Sequence, residues 1–171
     1  AYIEEQLTSI LKQTKQVDEV IICDDRSSDK TTEVVKAFIE KYGLSDCWKI
    51  FLNEKNLGYA SNFVGAMRKT TGDYIMFCDQ DDIWIETRVA DMTEQMEKNP
   101  KVLLMGSEFE TFSTSDNALQ VPKWELARFT NDKSMEQLRF TPSNVFIGCQ
   151  GCTMCVRRSF LDKIDKYWYE G

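Results

Sequence analysis

The sequence predicts an α/β fold in which helices cover both faces of a mostly parallel central sheet, and three observations carry that prediction. Apolar runs and segments of helical period alternate from the first residues to about residue 105. Tyr74-Ile75-Met76-Phe77-Cys78 is an uninterrupted apolar run, the pattern of a strand buried on both faces. This strand and Glu19-Val20-Ile21-Ile22-Cys23 both run straight into carboxylates at their carboxyl ends, where open α/β sheets bind ligands.

Each element has a local reason. Ile3, Leu7, Ile10 and Leu11 recur at helical spacing, so residues 2 to 14 form an amphipathic helix. Residues 19 to 23 are a buried strand and Asp24 to Asp29 a turn. Val34, Val35, Phe38, Ile39 and Tyr42 mark a helix ended by Gly43. Trp48 to Leu52 is the next strand. Phe63, Ala66 and Met67 give a helix closed by Gly72, ahead of the acidic strand. Val89, Met92 and Met96 give a helix stopped by Pro100, and Val102 to Met105 completes the regular part. From Gly106 onward the period degrades: residues 114 to 147 carry Pro122, Trp124, Phe129, Phe140 and Pro142 without order, as a substrate-covering segment does. Gly151 to Val156 resumes as a strand, and Ser159 with Asp162 resembles a capping box for a last short helix through Ile164.

With 171 residues and 42% hydrophobic content the chain is one domain with material for a sizeable core. Its net charge of -7, with no compensating basic cluster, argues against a nucleic-acid-binding face and for small-molecule partners. No stretch approaches a transmembrane span. The expected location is the cytoplasm, with attachment to the inner face of the membrane as the one variant. Six cysteines fit a reducing compartment, Cys23 and Cys78 as small core residues. Cys149, Cys152 and Cys155 have a metal-like spacing, but positions three apart on a strand face opposite sides and the chain has no histidine. They are expected to be packing residues.

The acidic strand end, Asp79-Gln80-Asp81-Asp82, carries the chemistry. If the chain stays extended, Asp79 and Asp81 point the same way and Gln80 oppositely. Two converging carboxylates suit Mg²⁺ or Mn²⁺ completed by waters and a diphosphate, the bland alternative being an acidic helix cap. The turn Asp24-Asp25-Arg26-Ser27-Ser28-Asp29 should flank the same crevice. Ser27, Ser28 and Asp29 can cap the next helix, whereas the repulsion between Asp24 and Asp25 needs a ligand or hydrogen bonds to offset it.

Taken in order, Ser9-Ile10-Leu11-Lys12-Gln13-Thr14, Asp24 to Thr31, Asn56-Leu57-Gly58, and Asp79-Gln80-Asp81-Asp82-Ile83-Trp84 followed by Arg88 resemble the family 2 glycosyltransferases of the GT-A fold. The wording from Asp79 to Trp84 looks most like the rhamnosyltransferase-like branch. The resemblance implies a nucleotide-binding part over about residues 1–105 and an acceptor-side part over about 106–171. It implies that Asp25 contacts the nucleobase beside Asp24, and that Asp79 and Asp81 are the DxD pair, with Asp81 the main ligand of Mg²⁺ or Mn²⁺. Asn56, Gly58 and Asn62 match the segment near the nucleotide and donor, and Gly151, Cys152 and Thr153 the stretch lining the acceptor side. The implied donor is a UDP- or dTDP-sugar and the implied acceptor a glycan or lipid-linked hydroxyl, in bacterial surface polysaccharide or glycan synthesis.

The family's first strand is expected before Ala1 and its catalytic base after Gly171, so the chain is expected to be a core fragment without a catalytic residue of its own. The competing readings are a nucleotide-sugar-binding module without catalysis and a Mg²⁺-dependent aspartyl-phosphate hydrolase. The hydrolase class looks for Thr or Val where this chain has Ile83, and for its further acids downstream, whereas Asp24 and Asp25 lie upstream.

Overall fold

The computed structural model describes residues 2–112, 132, 134–137, 151–161 and 163. The covering segment expected over 114–147 falls almost wholly outside them, as do Cys149 and most of the last helix.

Helix α1 (Ile3–Leu11) is shorter than expected, giving way to a turn before Gln13. Its apolar stripe, Ile3, Leu7 and Ile10, packs with Val35, Phe38 and Ile39 of α2 (Thr31–Lys41) and with Trp48, Trp84 and Val89 into the larger core. Leu7 and Val35 are essentially inaccessible, and Phe38 stacks on Trp48 with ring centroids 5.8 Å apart. Burial of such side chains contributes about 1.5–3 kcal/mol each before the entropy of ordering is set against it. Gly43 ends α2 as expected: its φ is 65°, and the Leu44 amide reaches back to the Ile39 carbonyl at 2.9 Å.

Strands β1 (Val20–Asp24) and β2 (Trp48–Leu52) pair in parallel, with Asp24 opposite Leu52. Helix α3 (Tyr59–Lys69) follows and stops at Thr70, two residues before the glycine expected to close it, because Thr70 is already extended (ψ 155°). The Glu19 carboxylate then takes the amides of Thr71 and Gly72, tying this turn to the entry of β1.

The remaining strands refine the expected topology. β3 (Tyr74–Met76), β4 (Leu104–Gly106) and β5 (Met154–Arg157) form a second group in the order β3-β5-β4, with β5 antiparallel to both neighbours. β3 and β4 therefore run parallel to each other with β5 inserted between them. β5 starts three residues later than expected because Gly151–Thr153 forms a 3-10 turn. Met92 and Met96 of α4 (Arg88–Lys98) pack with Cys155 into a second core against this group, and the Arg157 guanidinium bonds the carbonyls of Met96 and Val102 at 2.7 and 2.9 Å. Cys155 is a packing residue, as expected.

Among the described residues no ladder joins β1 to β3. A groove of about 970 Å³ lies along both strands and under α1 and α3. This opening leaves Val20 to Cys23 half-buried, where a strand covered on both faces was expected.

Candidate active site

The two acidic turns open into this one groove: Asp24, Asp25 and Ser27 line it from the end of β1, and Asp79 and Gln80 from beyond β3. That is the shared crevice expected from two strands whose carboxyl ends carry acids.

At the first turn the repulsion between adjacent carboxylates is offset by hydrogen bonds. Asp24 is buried and accepts from the Ser27 amide at 3.1 Å. Arg26 takes a left-handed φ of 72°, which bends the chain sharply between Asp25 and Ser27. Asp29 accepts from the Thr31 amide at 3.0 Å and is the residue of this stretch that satisfies the start of α2.

Asp25 meets the need for hydrogen bonds through the loop that follows β2. Its Oδ1 accepts from Asn53 Nδ2 and the Leu57 amide, both at 2.8 Å, and its Oδ2 accepts from the Gly58 amide at 2.9 Å. Asn56 Nδ2 donates to the Asp25 carbonyl at 3.1 Å, and Gly58 closes the loop at φ 79°, a conformation that favours glycine. Asn53 Nδ2 also bonds Asn62 Oδ1 at 2.9 Å, and Asn62 Nδ2 bonds the Cys23 carbonyl at 2.9 Å. The structure thus brings Asn56 and Gly58 to Asp25, and links Asp25 to Asn62 through Asn53. The donation from Asn53, then that from Leu57, with Gly58 adding to them against an opposing desolvation, holds the Asp25 carboxyl below the usual carboxylate range. Asn53 was missed in the sequence. Its signal is the register itself: with Asp24 opposite Leu52, the next residue of β2 sits beside Asp25.

The second turn departs from the extended geometry expected of it. The ladder of β3 ends at Met76, and the chain then closes a turn in which the Asp82 amide donates to the Asp79 carbonyl at 3.2 Å. Asp82 Oδ2 in return accepts from the Asp79 amide at 3.1 Å. The alternation argument that aligned Asp79 with Asp81 therefore does not apply; the turn brings Asp82 to Asp79, with Asp81 exposed at the third position of the turn. Donor atoms of Asp79, Asp82 and Cys152 all lie within 4.8 Å of one another.

The charges here are strained against each other. Burial, then the neighbouring charges of Asp82 and Asp81, pushes the Asp79 carboxyl up. Among the described residues Arg88 is a cation that interacts with Asp82; it donates to Ser107 Oγ at 2.9 Å and to the Cys152 carbonyl at 3.0 Å, 4.8 Å over the Trp84 ring. The Arg88 Nε is buried without a partner among the described residues. Three carboxylates against one guanidinium leave negative charge that a divalent cation would relieve. The donors fit Mg²⁺ or Mn²⁺, which take carboxylate oxygen. Burial and the nearby Asp82 push the thiol of Cys152, the third group of this cluster, up to about 12 in the metal-free site.

Gly151, Cys152 and Thr153 form the 3-10 turn before β5, and the Ser107 amide bonds the Thr153 carbonyl at 3.1 Å. This stretch stands against the acidic turn, with Cys152 beside Asp79 and Asp82.

A model of one family matches residues 1–164, the glycosyl transferase family 2. The chain belongs to that family. Relatives of this family 2 domain include the *Escherichia coli* UDP-Glc:alpha-D-GlcNAc-diphosphoundecaprenol beta-1,3-glucosyltransferase WfgD, 33% identical over 105 residues that make up 61% of this chain and 40% of that protein. The putative glycosyltransferase EpsE of *Bacillus subtilis* is 31% identical over 61% of this chain and 37% of its own length. The domain thus spans about two fifths of these curated relatives. Among solved structures, *S. aureus* TarS superposes with a TM-score of 0.74 at 23% identity, over 99% of this chain and 47% of that one. A *Pyrobaculum calidifontis* mannosyltransferase, solved with GDP-Man and Mn²⁺, superposes with a TM-score of 0.69 at 21% identity, over 95% of this chain and 42% of its own. The fold is GT-A. No helix among the described residues is long and apolar enough to cross a membrane.

Proposed function

We propose that this domain serves a glycosyltransferase that moves a sugar from a nucleotide-diphospho-sugar to an acceptor hydroxyl, with inversion, in bacterial surface glycan synthesis. The observation that carries the reading is the opening of two acidic turns, one locked to a loop by Asp25 and one rich in uncompensated carboxylates, into a single groove. Family membership and the names of its relatives support it, two of them acting on or solved with nucleotide-linked sugars.

In this reading Asp79 and Asp81 hold Mg²⁺ or Mn²⁺ at the second turn, with Asp82 fixing the turn through the Asp79 amide. The cation supplies charge stabilisation to the departing diphosphate. Asp24 and Asp25, with Asn56, Gly58 and Asn62, shape the nucleotide end of the groove. Gly151, Cys152 and Thr153 face the acceptor. The base that deprotonates the acceptor hydroxyl is not among the residues assigned here. The donor is a UDP- or dTDP-sugar, the latter if the rhamnosyltransferase-like wording of Asp79 to Trp84 sets the sugar.

Calorimetry of the chain with UDP and dTDP, with and without Mn²⁺, tests the reading. Binding of at least one nucleotide is expected to strengthen about tenfold or more when Mn²⁺ is added, since the carboxylates hold a diphosphate only through a cation. Equal affinity in both conditions would contradict it. Turnover of the parent enzyme separates transfer from a binding module without catalysis.

A further inference from the structure

The acidic turn is braced from behind by a buried polar stripe on α1. Gln6, Ser9 and Gln13 are spaced three and four residues apart, so they share one side of the helix and its last turn, next to the apolar stripe that enters the core. All three are buried, Gln13 to 2% exposure. Buried polar side chains of this kind persist where they are paired, and each of these is paired to the segment that follows β3.

Gln6 Nε2 donates to the Asp79 carbonyl at 2.9 Å. Ser9 Oγ accepts from the Trp84 amide at 3.0 Å while donating to the Gln6 carbonyl at 2.7 Å. Gln13 bonds at both ends of its amide, Nε2 to the Ile85 carbonyl at 2.8 Å and Oε1 from the Val89 amide at 2.9 Å. The backbone adds one more tie, from the Thr14 amide to the Glu86 carbonyl at 2.8 Å. The loop from Asp79 to Val89 is therefore held at its start, middle and end by α1 and the turn that follows it, more than seventy residues away in sequence.

We infer that Gln6, Ser9 and Gln13 are positioning residues for the acidic turn: they hold its backbone in place before any ligand arrives, so that Asp79 and Asp81 meet a cation without first being ordered. The inference rests on the proposed metal role of that turn. A site on an unbraced loop must lose backbone freedom when it binds, and the brace removes that cost beforehand.

The test compares Gln6→Leu and Gln13→Leu with Thr93→Val. Thr93 is also buried, but its hydroxyl bonds Val89 and Ala90 carbonyls at the start of α4, so its loss matches the general cost of a missing buried bond. Mn²⁺ binding is read by electron paramagnetic resonance, and amide hydrogen exchange by mass spectrometry. Both glutamine variants are expected to bind Mn²⁺ about fivefold more weakly than Thr93→Val and to speed exchange across 79–89 while the β1–β2 ladder keeps its protection. If the wild type binds Mn²⁺, Asp81→Asn weakens it, and the glutamine variants match Thr93→Val, the brace has no positioning role and the metal assignment stands. If the wild type binds no Mn²⁺, the assignment of the turn falls and the inference falls with it.

Discussion

Asp81→Asn is expected to lower turnover of the parent enzyme at least about a hundredfold, because a metal's stabilisation of the departing diphosphate is worth several kcal/mol and each ~1.4 kcal/mol is a factor of ten. The substitution keeps the size of the side chain and removes the charge offered to the cation. Folding should be untouched, since Asp81 is exposed in the turn while the bonds that close the turn belong to Asp79 and Asp82. Excess Mn²⁺ should restore part of the rate. Steady-state kinetics over a range of Mn²⁺ concentrations, with circular dichroism as the folding check, decide it: unchanged turnover and unchanged metal dependence would remove the cation from this turn. Asp82→Asn gives the contrast, because an amide oxygen can still accept from the Asp79 amide and the turn should persist.

Asp25→Asn should act on the donor rather than on the chemical step. The side-chain oxygen of asparagine can still accept from Asn53 and Leu57, but its NH₂ group would face the Gly58 amide, donor against donor. The loop from Asn53 to Gly58 then loosens at the nucleotide end of the groove. Donor KM is expected to rise about tenfold with kcat nearly unchanged at saturation, the pattern of lost uniform binding. The variant also carries a pH signature. The folded-state Asp25 carboxyl is held low, so its contribution to stability is present above its unfolded value and fades as pH falls through the folded one. The melting-temperature gap between wild type and Asp25→Asn should accordingly be open at neutral pH, begin to narrow below about pH 4, and close only once pH falls below the lowered folded-state value. A gap that does not narrow at all as pH falls from neutral to the most acid pH at which the protein stays folded would mean that Asp25 is not the latch of this loop.

The helices and strands of the first hundred residues were legible because each writes its period or apolar run locally. Gly43 could be read because a left-handed helix end needs that residue type. The direction and place of β5 were not legible: Met154–Arg157 is four residues long and nothing in a short apolar run encodes which two strands it will enter between. At the first turn Asp24 and Asp25 were visible as acids after a strand, whereas Asn56, Gly58 and Asn62 were named only through the family resemblance. What they bond was not visible, since Asp25 reads as a free acceptor until β2 is laid beside β1 and Asn53 reaches it. At the second turn the alternation rule failed for a physical reason: the chain stops being a strand at Met76, and a turn rather than a pleat sets which acids meet. Ser9 and Gln13 stood in the first family-like motif, but what they and Gln6 bond was hidden because a polar stripe beside an apolar one looks like the solvent face of an amphipathic helix.

The most direct test of the central claim, that the acidic turn holds the cation at the groove shared with Asp25, is paramagnetic broadening of backbone amide resonances in the isotope-labelled chain on addition of Mn²⁺ with UDP. The amides of Asp79 to Asp82 and Cys152 should broaden at the lowest Mn²⁺ concentration, with those around Asp25 and Gly58 responding to UDP itself. Broadening centred instead on other acids, such as Glu94 and Glu97 on α4, with the turn left sharp, would contradict the account.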